Sequence, residues 1–197
     1  MTRLLLVRHG ETDWNAEGRL QGLADIPLSE TGRRQATRLA FIIRTYRPDQ
    51  AVCSDLSRTR ETCLLLGYPA PRLDPLWREA DLGAWTGQSV AKLKEDAGKD
   101  YIGWRSGTLT PPAGETWTAL CRRVQAALDS VVEASGSQLI VTHGGPIRAA
   151  CAVLLGLQPG SLVPVHPASV TIIDVDGHPT LRVFNLTGTA DDSDVSE

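Results

Sequence analysis

Two histidines in this chain each follow a short apolar run and precede a glycine. The segments are Leu4-Leu5-Leu6-Val7-Arg8-His9-Gly10 and Leu139-Ile140-Val141-Thr142-His143-Gly144-Gly145. Apolar runs of this length without alternation are typical of strands buried on both faces of a parallel sheet. Polar residues directly after such strands lie at the carboxyl edge of the sheet, where open α/β sheets bind their ligands. If the two strands are neighbours, both imidazole rings lie over the same edge.

Positive charge is concentrated at the same positions. Arg8 directly precedes His9, and Gly144 and Gly145 begin a helix whose free backbone N–H groups and dipole face this edge. Arg58 stands in the first turn of another predicted helix, where a cation opposes the helix dipole. That placement at a strand-to-helix junction indicates that Arg58 reaches the same site. The local field favours an anion, and a phosphate group suits it best.

The elements that must position these residues alternate between strands and helices along the chain. Strands are predicted over residues 4–7, 51–53, 138–142, 169–175 and 180–184, and helices from Ser29 or Thr31 to about 46, from Ser54 or Asp55 to about 67, and over 88–97, 115–134 and 144–155. Residues 8–28, 76–87 and 98–114 are predicted as loops. This order predicts an α/β three-layer sandwich: a mostly parallel sheet with an antiparallel edge strand and helices on both faces. We expect one domain over 1–188 and an acidic, disordered tail over 189–197.

Composition excludes several classes of function. The chain has 197 residues and a net charge of −3, so no global basic field attracts nucleic acid or an anionic membrane. No apolar run is long enough to span a membrane. The four cysteines are scattered without ligand spacing, and His166 and His178 fall in predicted surface turns, which argues against a metal site. A cytoplasmic location is expected, and the absence of GxxxxGK[ST] excludes a P-loop enzyme.

Four sequence blocks resemble one known family in the right order. They are LLLVRHGETDWNAEGRLQGLADIPLSETGRRQA, SDLSRTRET, E79-x-x-L-G and VTHGGPIR, and together they span residues 4 to about 150. They are similar to the histidine phosphatase superfamily in its phosphoglycerate mutase-like branch. One departure is Thr86, since many relatives have an acidic residue after the tryptophan of the third block, and this departure bears on substrate choice.

The resemblance implies a role for each residue of the site. His9 is the implied nucleophile, which attacks phosphorus as a neutral imidazole and carries the phosphoryl group as phosphohistidine. The adjacent Arg8 disfavours protonation of His9. The groups expected to bind the phosphate are Arg8, Asn15, Gln21, Gly22, Arg58, His143 and Gly144.

Glu79 is the implied general acid, which protonates the leaving oxygen and later activates water as a base. A bound phosphate dianion favours the protonated carboxyl group for the first step. Asp81 is a nearby carboxylate, but it stands at a different place in the family pattern. No metal and no cofactor are expected, because the arginines supply the positive charge.

Three functions remain open at this stage. The first is hydrolysis of a small phosphate monoester, the second is a phosphoglycerate mutase with the same catalytic residues, and the third is a non-catalytic phospholigand-binding module. Mutases of the family have a longer segment between the general acid and the second histidine. Here residues 80–142, a segment of 63 residues, separate Glu79 from His143, which favours hydrolysis. The substrate stays open, as does the choice between a monomer and a homodimer.

Overall fold

The computed structural model describes residues 2–134 and 136–188. Its strands are β1 (Arg3–Arg8), β2 (Gln50–Cys53), β3 (Arg72–Leu73), β4 (Ser137–Thr142), β5 (Ser169–Asp174) and β6 (Thr180–Thr187). Its α-helices are α1 (Asp13–Ala16), α2 (Glu30–Tyr46), α3 (Ser57–Leu65), α4 (Val90–Arg105), α5 (Trp117–Val132) and α6 (Gly144–Leu155). Three single 3₁₀ turns cover Pro75–Trp77, Gly83–Trp85 and Pro159–Ser161.

The six strands form one sheet in the order β3-β2-β4-β1-β5-β6. The four strands from β3 to β1 are parallel to one another, whereas β5 pairs antiparallel with β1 and with β6. The predicted α/β sandwich, mostly parallel with an antiparallel edge, is therefore confirmed. After β1 the chain adds β2 and β3 toward one edge of the sheet, whereas after β4 it adds β5 and β6 toward the other edge. Open α/β sheets bind their ligands where the strand order reverses in this way.

Two apolar cores cover the two faces of the sheet. Successive residues of β1 alternate between them: Leu4 and Leu6 pack with α5 and α6, while Leu5 and Val7 pack with α2 and α3. All four side chains are completely buried. Burial on both faces accounts for the unbroken apolar run, because each face of this strand needs apolar side chains.

The principal error of the sequence interpretation concerns α4. A helix over 88–97 followed by an irregular segment was predicted, but α4 continues to Arg105. Ala97 has non-helical angles (φ −144°, ψ 44°), so a kink lies where the predicted helix ended. Trp104 and Arg105, in the last turn of α4, therefore lie on a helix rather than in a loop.

Two helix starts also differ from the prediction. Helix α3 begins after Leu56 without a side-chain cap, rather than at Ser54 or Asp55, because Asp55 pairs with Arg78 instead. Helix α5 begins after Thr116, whose hydroxyl accepts from the N–H of Ala119, while Glu115 pairs elsewhere. The predicted cap at Ser29 is present and accepts from the N–H of Gly32.

The tail over 189–197 lies outside the described residues, and the single domain over 1–188 stays a prediction. Within 2–134 and 136–188, no helix combines the length and the apolar character needed to span a membrane. The four cysteines are free thiols, three of them fully buried in the cores.

Candidate active site

The two histidines meet because β1 and β4 are neighbours in the sheet. The register pairs Arg8 with Thr142, so His9 and His143 leave adjacent strands at the same level. The backbone of His9 is held on both sides: its N–H donates to the carbonyl of Thr142, and its carbonyl accepts from the N–H of Ala168, both at 3.0 Å. The two ring centroids are 5.1 Å apart, with 64° between the ring planes. The sheet thus brings both imidazole rings to one edge.

A hydrogen bond of the His9 ring determines which nitrogen is free to react. Nδ1 lies 2.7 Å from the carbonyl oxygen of Gly10, which can only accept, so Nδ1 carries the proton. Nε2 therefore bears the lone pair of the neutral ring. The turn after His9 is tight, because a Cβ on Gly10 would lie 2.4 Å from the carbonyl oxygen of Gly32. The absence of a side chain at Gly10 lets this loop pack against the start of α2.

His143 is completely buried and uses both ring nitrogens. The Nε of Arg58 donates to its Nδ1 at 3.3 Å, and its Nε2 lies 3.0 Å from the hydroxyl of Ser54. A guanidinium can only donate, so Nδ1 of His143 accepts and Nε2 carries the proton. The neutral ring therefore links Ser54 to Arg58 and orients the guanidinium.

Both histidines are held in the neutral form by their surroundings. Burial, followed by the positive charges of Arg58 and Arg8, lowers the pKa of His9 well below its ordinary value of 6.5. Burial and the charge of Arg58 lower the pKa of His143 in the same direction, with a further contribution from His9. The expected effect of Arg8 on His9 is present, although burial and Arg58 have larger effects. His9 is thus a neutral imidazole with a free lone pair on Nε2.

This burial has a consequence for stability that can be measured. Between pH 6.5 and the lower folded-state pKa values, the unfolded chain binds protons that His9 and His143 in the fold cannot bind. The free energy of unfolding is therefore expected to fall as the pH is lowered from 7.5 to 5.5, by up to about 1.4 kcal/mol per pH unit for each histidine. Urea denaturation at several pH values measures the slope. The slope should become shallower in His9→Asn, and an unchanged slope would contradict the assignment.

Two arginines supply the positive charge of the site. Arg58 is completely buried, and its Nη1 and Nη2 donate to the carbonyls of Ala24 (2.7 Å) and Gly22 (2.9 Å). Nη1 of Arg8 donates to the carbonyl of Val165, and its buried Nε has no partner among the described residues. Burial lowers the pKa of both arginines, that of Arg58 to about 10, and the charge of Glu79 opposes both shifts. Arginine side chains are not deprotonated in proteins, so both guanidinium groups are cations at neutral pH.

Glu79 stands at the amino end of α6. Its Oε1 accepts from the N–H of Ala80 at 2.8 Å and from the N–H of Gly145 at 3.1 Å, and its Oε2 lies 3.3 Å from the same Gly145 nitrogen. The expectation that Gly144 and Gly145 both offer free amides to an anion is therefore wrong for Gly145. Its N–H group binds the carboxylate of Glu79 and sets the position of that carboxylate.

The contact with Gly145 makes a substitution there informative. A Cβ at this position would lie 2.2 Å from Oε1 of Glu79, so Gly145→Ala must displace the carboxylate. A shift of about 1 Å in a reacting group costs on the order of 10²-fold in rate, and we expect a loss of that size in kcat for the phosphate esters that the sequence resemblance implies as substrates. Steady-state kinetics in the wild-type and Glu79→Gln backgrounds separate this effect from a general loss of packing. In the Glu79→Gln background the added substitution should change little, and fully additive losses would contradict the assigned contact.

Arg123 holds the loop that carries Glu79. It donates to the carbonyls of Leu76 (2.7 Å), Arg78 (2.8 Å) and Glu79 (3.0 Å). Its guanidinium also forms two bonds of 2.8 Å to the carboxylate of Glu115. Three hydrogen bonds from one side chain therefore hold the backbone next to the Glu79 carboxyl group, and the two charge-assisted bonds to Glu115 keep the guanidinium in place.

A cavity of about 260 Å³ lies over this edge of the sheet. Eight of the nine predicted site residues line it: Arg8, His9, Asn15, Gln21, Gly22, Arg58, Glu79 and Gly144. His143, the ninth, is buried and contacts Arg58 and His9.

The loop residues of the predicted site have distinct contacts. The side-chain oxygen of Asn15 accepts from the N–H and hydroxyl of Thr12 (3.2 and 3.1 Å), which leaves its NH₂ group as the donor for a ligand. Gln21 is buried, with an Oε1 that has no partner among the described residues. Gly22 contributes its carbonyl to Arg58 and adopts a φ of +53°, which favours glycine.

Several residues of the site were missed from the sequence. Ser54 bonds His143, the hydroxyl of Thr62 accepts from the N–H of Gly10 at 3.1 Å, and Arg123 supports Glu79. Their spacing relative to the motifs gave no indication of these contacts. Arg148 offered a usable pattern, because it stands four residues after Gly144 on one helix face. In the described part of the chain, no group of three or more His, Cys, Asp or Glu side chains is arranged to hold a metal ion.

The fold and the site together define an α/β enzyme of the phosphoglycerate mutase-like class. The sequence model described as "Histidine phosphatase superfamily (branch 1)" matches residues 4–187. The chain belongs to the histidine phosphatase superfamily, and it is an enzyme of the histidine phosphatase type.

Named relatives fall on both sides of the choice between phosphatase and mutase. Probable phosphoglycerate mutase GpmB from Yersinia pestis (strain Pestoides F) is 37% identical over 165 residues, which cover 80% of this chain and 76% of that protein. Mycobacterial glucosyl-3-phosphoglycerate phosphatase in complex with VO3 matches with a TM-score of 0.86 and 34% identity, over 93% of this chain and 98% of that one. A variant of phosphoserine phosphatase from Entamoeba histolytica, in complex with phosphoserine, matches with a TM-score of 0.81 and 29% identity, over 94% and 97% of the two chains.

Proposed function

We propose that the enzyme hydrolyses small phosphate monoesters through a phosphohistidine on His9, with Glu79 as general acid and base and without a metal. The observation that carries this proposal is the neutral His9 ring. Its Nδ1 donates to the carbonyl of Gly10, and its Nε2 bears a lone pair in a cavity that is also lined by Arg8, Arg58 and Glu79. A neutral imidazole beside two cations is suited to attack a phosphorus atom.

In the first step, Nε2 of His9 attacks phosphorus and the ester P–O bond breaks. The leaving oxygen takes the proton of the Glu79 carboxyl group, so that an alcohol departs and Glu79 becomes a carboxylate. In the second step, this carboxylate takes a proton from water as the water oxygen attacks the phosphohistidine. The P–N bond breaks, inorganic phosphate leaves, and His9 and protonated Glu79 are restored.

Positive charge is the main contribution of the remaining residues. Arg8 and Arg58 neutralise the phosphoryl oxygens, and the NH₂ group of Asn15 and the amide of Gly144 add hydrogen bonds. His143 holds Arg58 through its Nδ1. Because a fully buried and a half-buried cation act on the phosphoryl group as it is transferred, electrostatic stabilisation supplies most of the catalysis. Metal independence follows from this arrangement, and EDTA is expected to leave the rate unchanged.

A phosphoglycerate mutase is the second candidate, since curated relatives have that name. It shares the first step but returns the phosphoryl group to another oxygen of the same molecule. The segment of 63 residues (80–142) between Glu79 and His143 supports hydrolysis, because fewer residues are present to enclose the intermediate. The substrates named for the mycobacterial and Entamoeba relatives support a small phosphorylated metabolite as the substrate.

The experiment is a product analysis with 3-phosphoglycerate and an aryl phosphate. We expect inorganic phosphate from both, at a rate that EDTA does not change, and little 2-phosphoglycerate. Formation of 2-phosphoglycerate in excess of phosphate would identify a mutase. Tight binding without either product would identify a non-catalytic module, and a strict metal requirement would contradict the charge arrangement.

A further inference from the structure

The cavity has a second cluster of cationic and aromatic side chains beyond the histidines. Its wall there is formed by the end of α4, the first residue of α5 and the second turn of α6. The side chains concerned are Tyr101, Trp104, Arg105, Trp117 and Arg148. None of these has a role in the chemistry described above, and two of them are arginines.

Arg148 is a buried cation without a carboxylate partner. Its side chain lines the cavity although the residue is only 5% exposed. Nη2 donates to the carbonyls of Arg105 and Pro159, the latter at 2.9 Å, whereas the buried Nε has no partner among the described residues. Neither Arg105 nor Arg148 forms an ion pair with a carboxylate in the part of the chain that the structure describes. Arg148 is buried and Arg105 is half-buried, and two such neighbouring cations are unfavourable unless an anion joins them.

The surroundings of Arg148 keep its guanidinium in place and charged. The guanidinium carbon lies 5.6 Å from the centre of the Trp117 ring, within the range of a cation–π contact. Burial lowers the pKa of Arg148 to about 10, and the charge of Arg105 adds to that shift. The carboxylate of Glu79 opposes the shift from a distance, but it is already bonded to Gly145.

The position of this cluster relates it to the phosphate site. Arg148 follows Gly144 by four residues on α6, so both lie on one helix face about one turn, or roughly 5–6 Å, apart. One compact molecule in a cavity of about 260 Å³ can therefore place a phosphate near Gly144 and another group near Arg148. Guanidinium groups bind planar oxyanions in a bidentate manner, which selects an acidic group at the second place.

We propose that Arg105 and Arg148 form a second anion subsite, which selects phosphate monoesters that carry another acidic group a few bonds from the phosphate. This inference rests on the proposed phosphatase function and narrows its substrate class. The alternative is that Arg148 only ties the end of α4 to Pro159. That structural role uses only Nη2 of Arg148 and the backbone carbonyl of Arg105, not the Arg105 guanidinium. A substitution of the Arg105 side chain therefore distinguishes the two explanations.

The test uses two substrates that differ only at the second group. 3-Phosphoglycerate has a carboxylate where glycerol 3-phosphate has a hydroxymethyl group. We expect the wild type to favour the acid by about 10-fold or more in kcat/KM, and Arg105→Gln to reduce that ratio by about 10-fold, since a hydrogen bond to a charged group has roughly this effect. Arg148→Lys should reduce the ratio in the same direction. In each variant, kcat/KM for both substrates is divided by kcat/KM for an aryl phosphate, which lacks the second acidic group.

The matched control is Arg122→Gln, which removes the same charge from an exposed position on α5. Its substrate ratio should equal that of the wild type. Propane-1,3-diol bisphosphate tests whether a second phosphate is accepted in place of a carboxylate: a preference for it that Arg105→Gln abolishes would assign the subsite to phosphate. The proposal is overturned if the wild type prefers neither acidic substrate, or if its preference survives in both arginine variants.

Failure of the proposed function is recognised separately, because then the aryl phosphate is not hydrolysed either. In that case calorimetric binding of the same two monoesters to the wild type and to Arg105→Gln still measures the subsite. Equal affinities for both ligands in the wild type would overturn it.

Discussion

Replacement of His9 by alanine is expected to abolish turnover of every phosphate ester. The nucleophile of the proposed mechanism is then missing, and no other imidazole nitrogen takes its place, because both ring nitrogens of His143 are bonded to Arg58 and Ser54. Removal of a residue that forms a covalent intermediate costs on the order of 10⁴-fold or more. Initial rates of phosphate release from an aryl phosphate measure the loss.

A second measurement distinguishes a lost nucleophile from a damaged fold. Rapid quenching of the wild type with ³²P-labelled substrate should trap an acid-labile, base-stable phosphoenzyme, and His9→Ala should trap none. The matched control is His178→Ala, which removes an exposed histidine in the turn between β5 and β6. Its rate and phosphoenzyme level should equal those of the wild type. Full activity in His9→Ala would rule out the phosphohistidine mechanism.

The sheet could be predicted from sequence because its strands are short and buried. Residues 4–7 of β1 and 139–141 of β4 are all apolar, and a histidine directly follows each strand. The βα alternation then restricts the topology to a few right-handed arrangements, and the antiparallel hairpin of β5 and β6 follows from its turn at Gly177. The end of α4 was not predictable in this way, because Gly98 and the kink at Ala97 interrupt its periodicity.

The sequence predicted where some site residues lie, but it did not predict their hydrogen-bond partners. The residue types at strand ends placed Arg8, His9 and His143 at one edge, since that inference needs only that the two strands are parallel neighbours. Hydrogen-bond partners depend on segments that meet from distant parts of the chain, as Arg123 and Glu79 do. Local sequence patterns carry no information about contacts between distant segments. The amide of Gly145 shows the same limit, because its bond to Glu79 joins residues 66 positions apart.

Glu79→Gln is expected to slow the enzyme in a manner that depends on the leaving group. Glutamine keeps the size of the side chain and can still accept from the N–H of Gly145, but it has no proton to give to a leaving oxygen. General acid catalysis contributes about 10²–10⁴-fold, so alkyl phosphates such as glycerol 3-phosphate should lose activity in that range. p-Nitrophenyl phosphate has a weakly basic leaving group that departs without protonation, so its rate of phosphoenzyme formation should fall far less. Single-turnover kinetics measures that first step apart from the hydrolysis that follows.

Asp81 provides the matched control for this prediction. It lies two residues further along the same loop, and its Oδ1 accepts from the N–H of Gly83 at 2.9 Å, away from Gly145 and the lining of the cavity. Asp81→Asn removes the same charge and keeps an acceptor for that bond, so its ratio of alkyl to aryl rates should match the wild type. An equal loss on both substrates in Glu79→Gln would show that the carboxyl group does not protonate the leaving oxygen. A selective loss in Asp81→Asn would transfer that role to Asp81, because a general acid is identified by the substrates that need its proton.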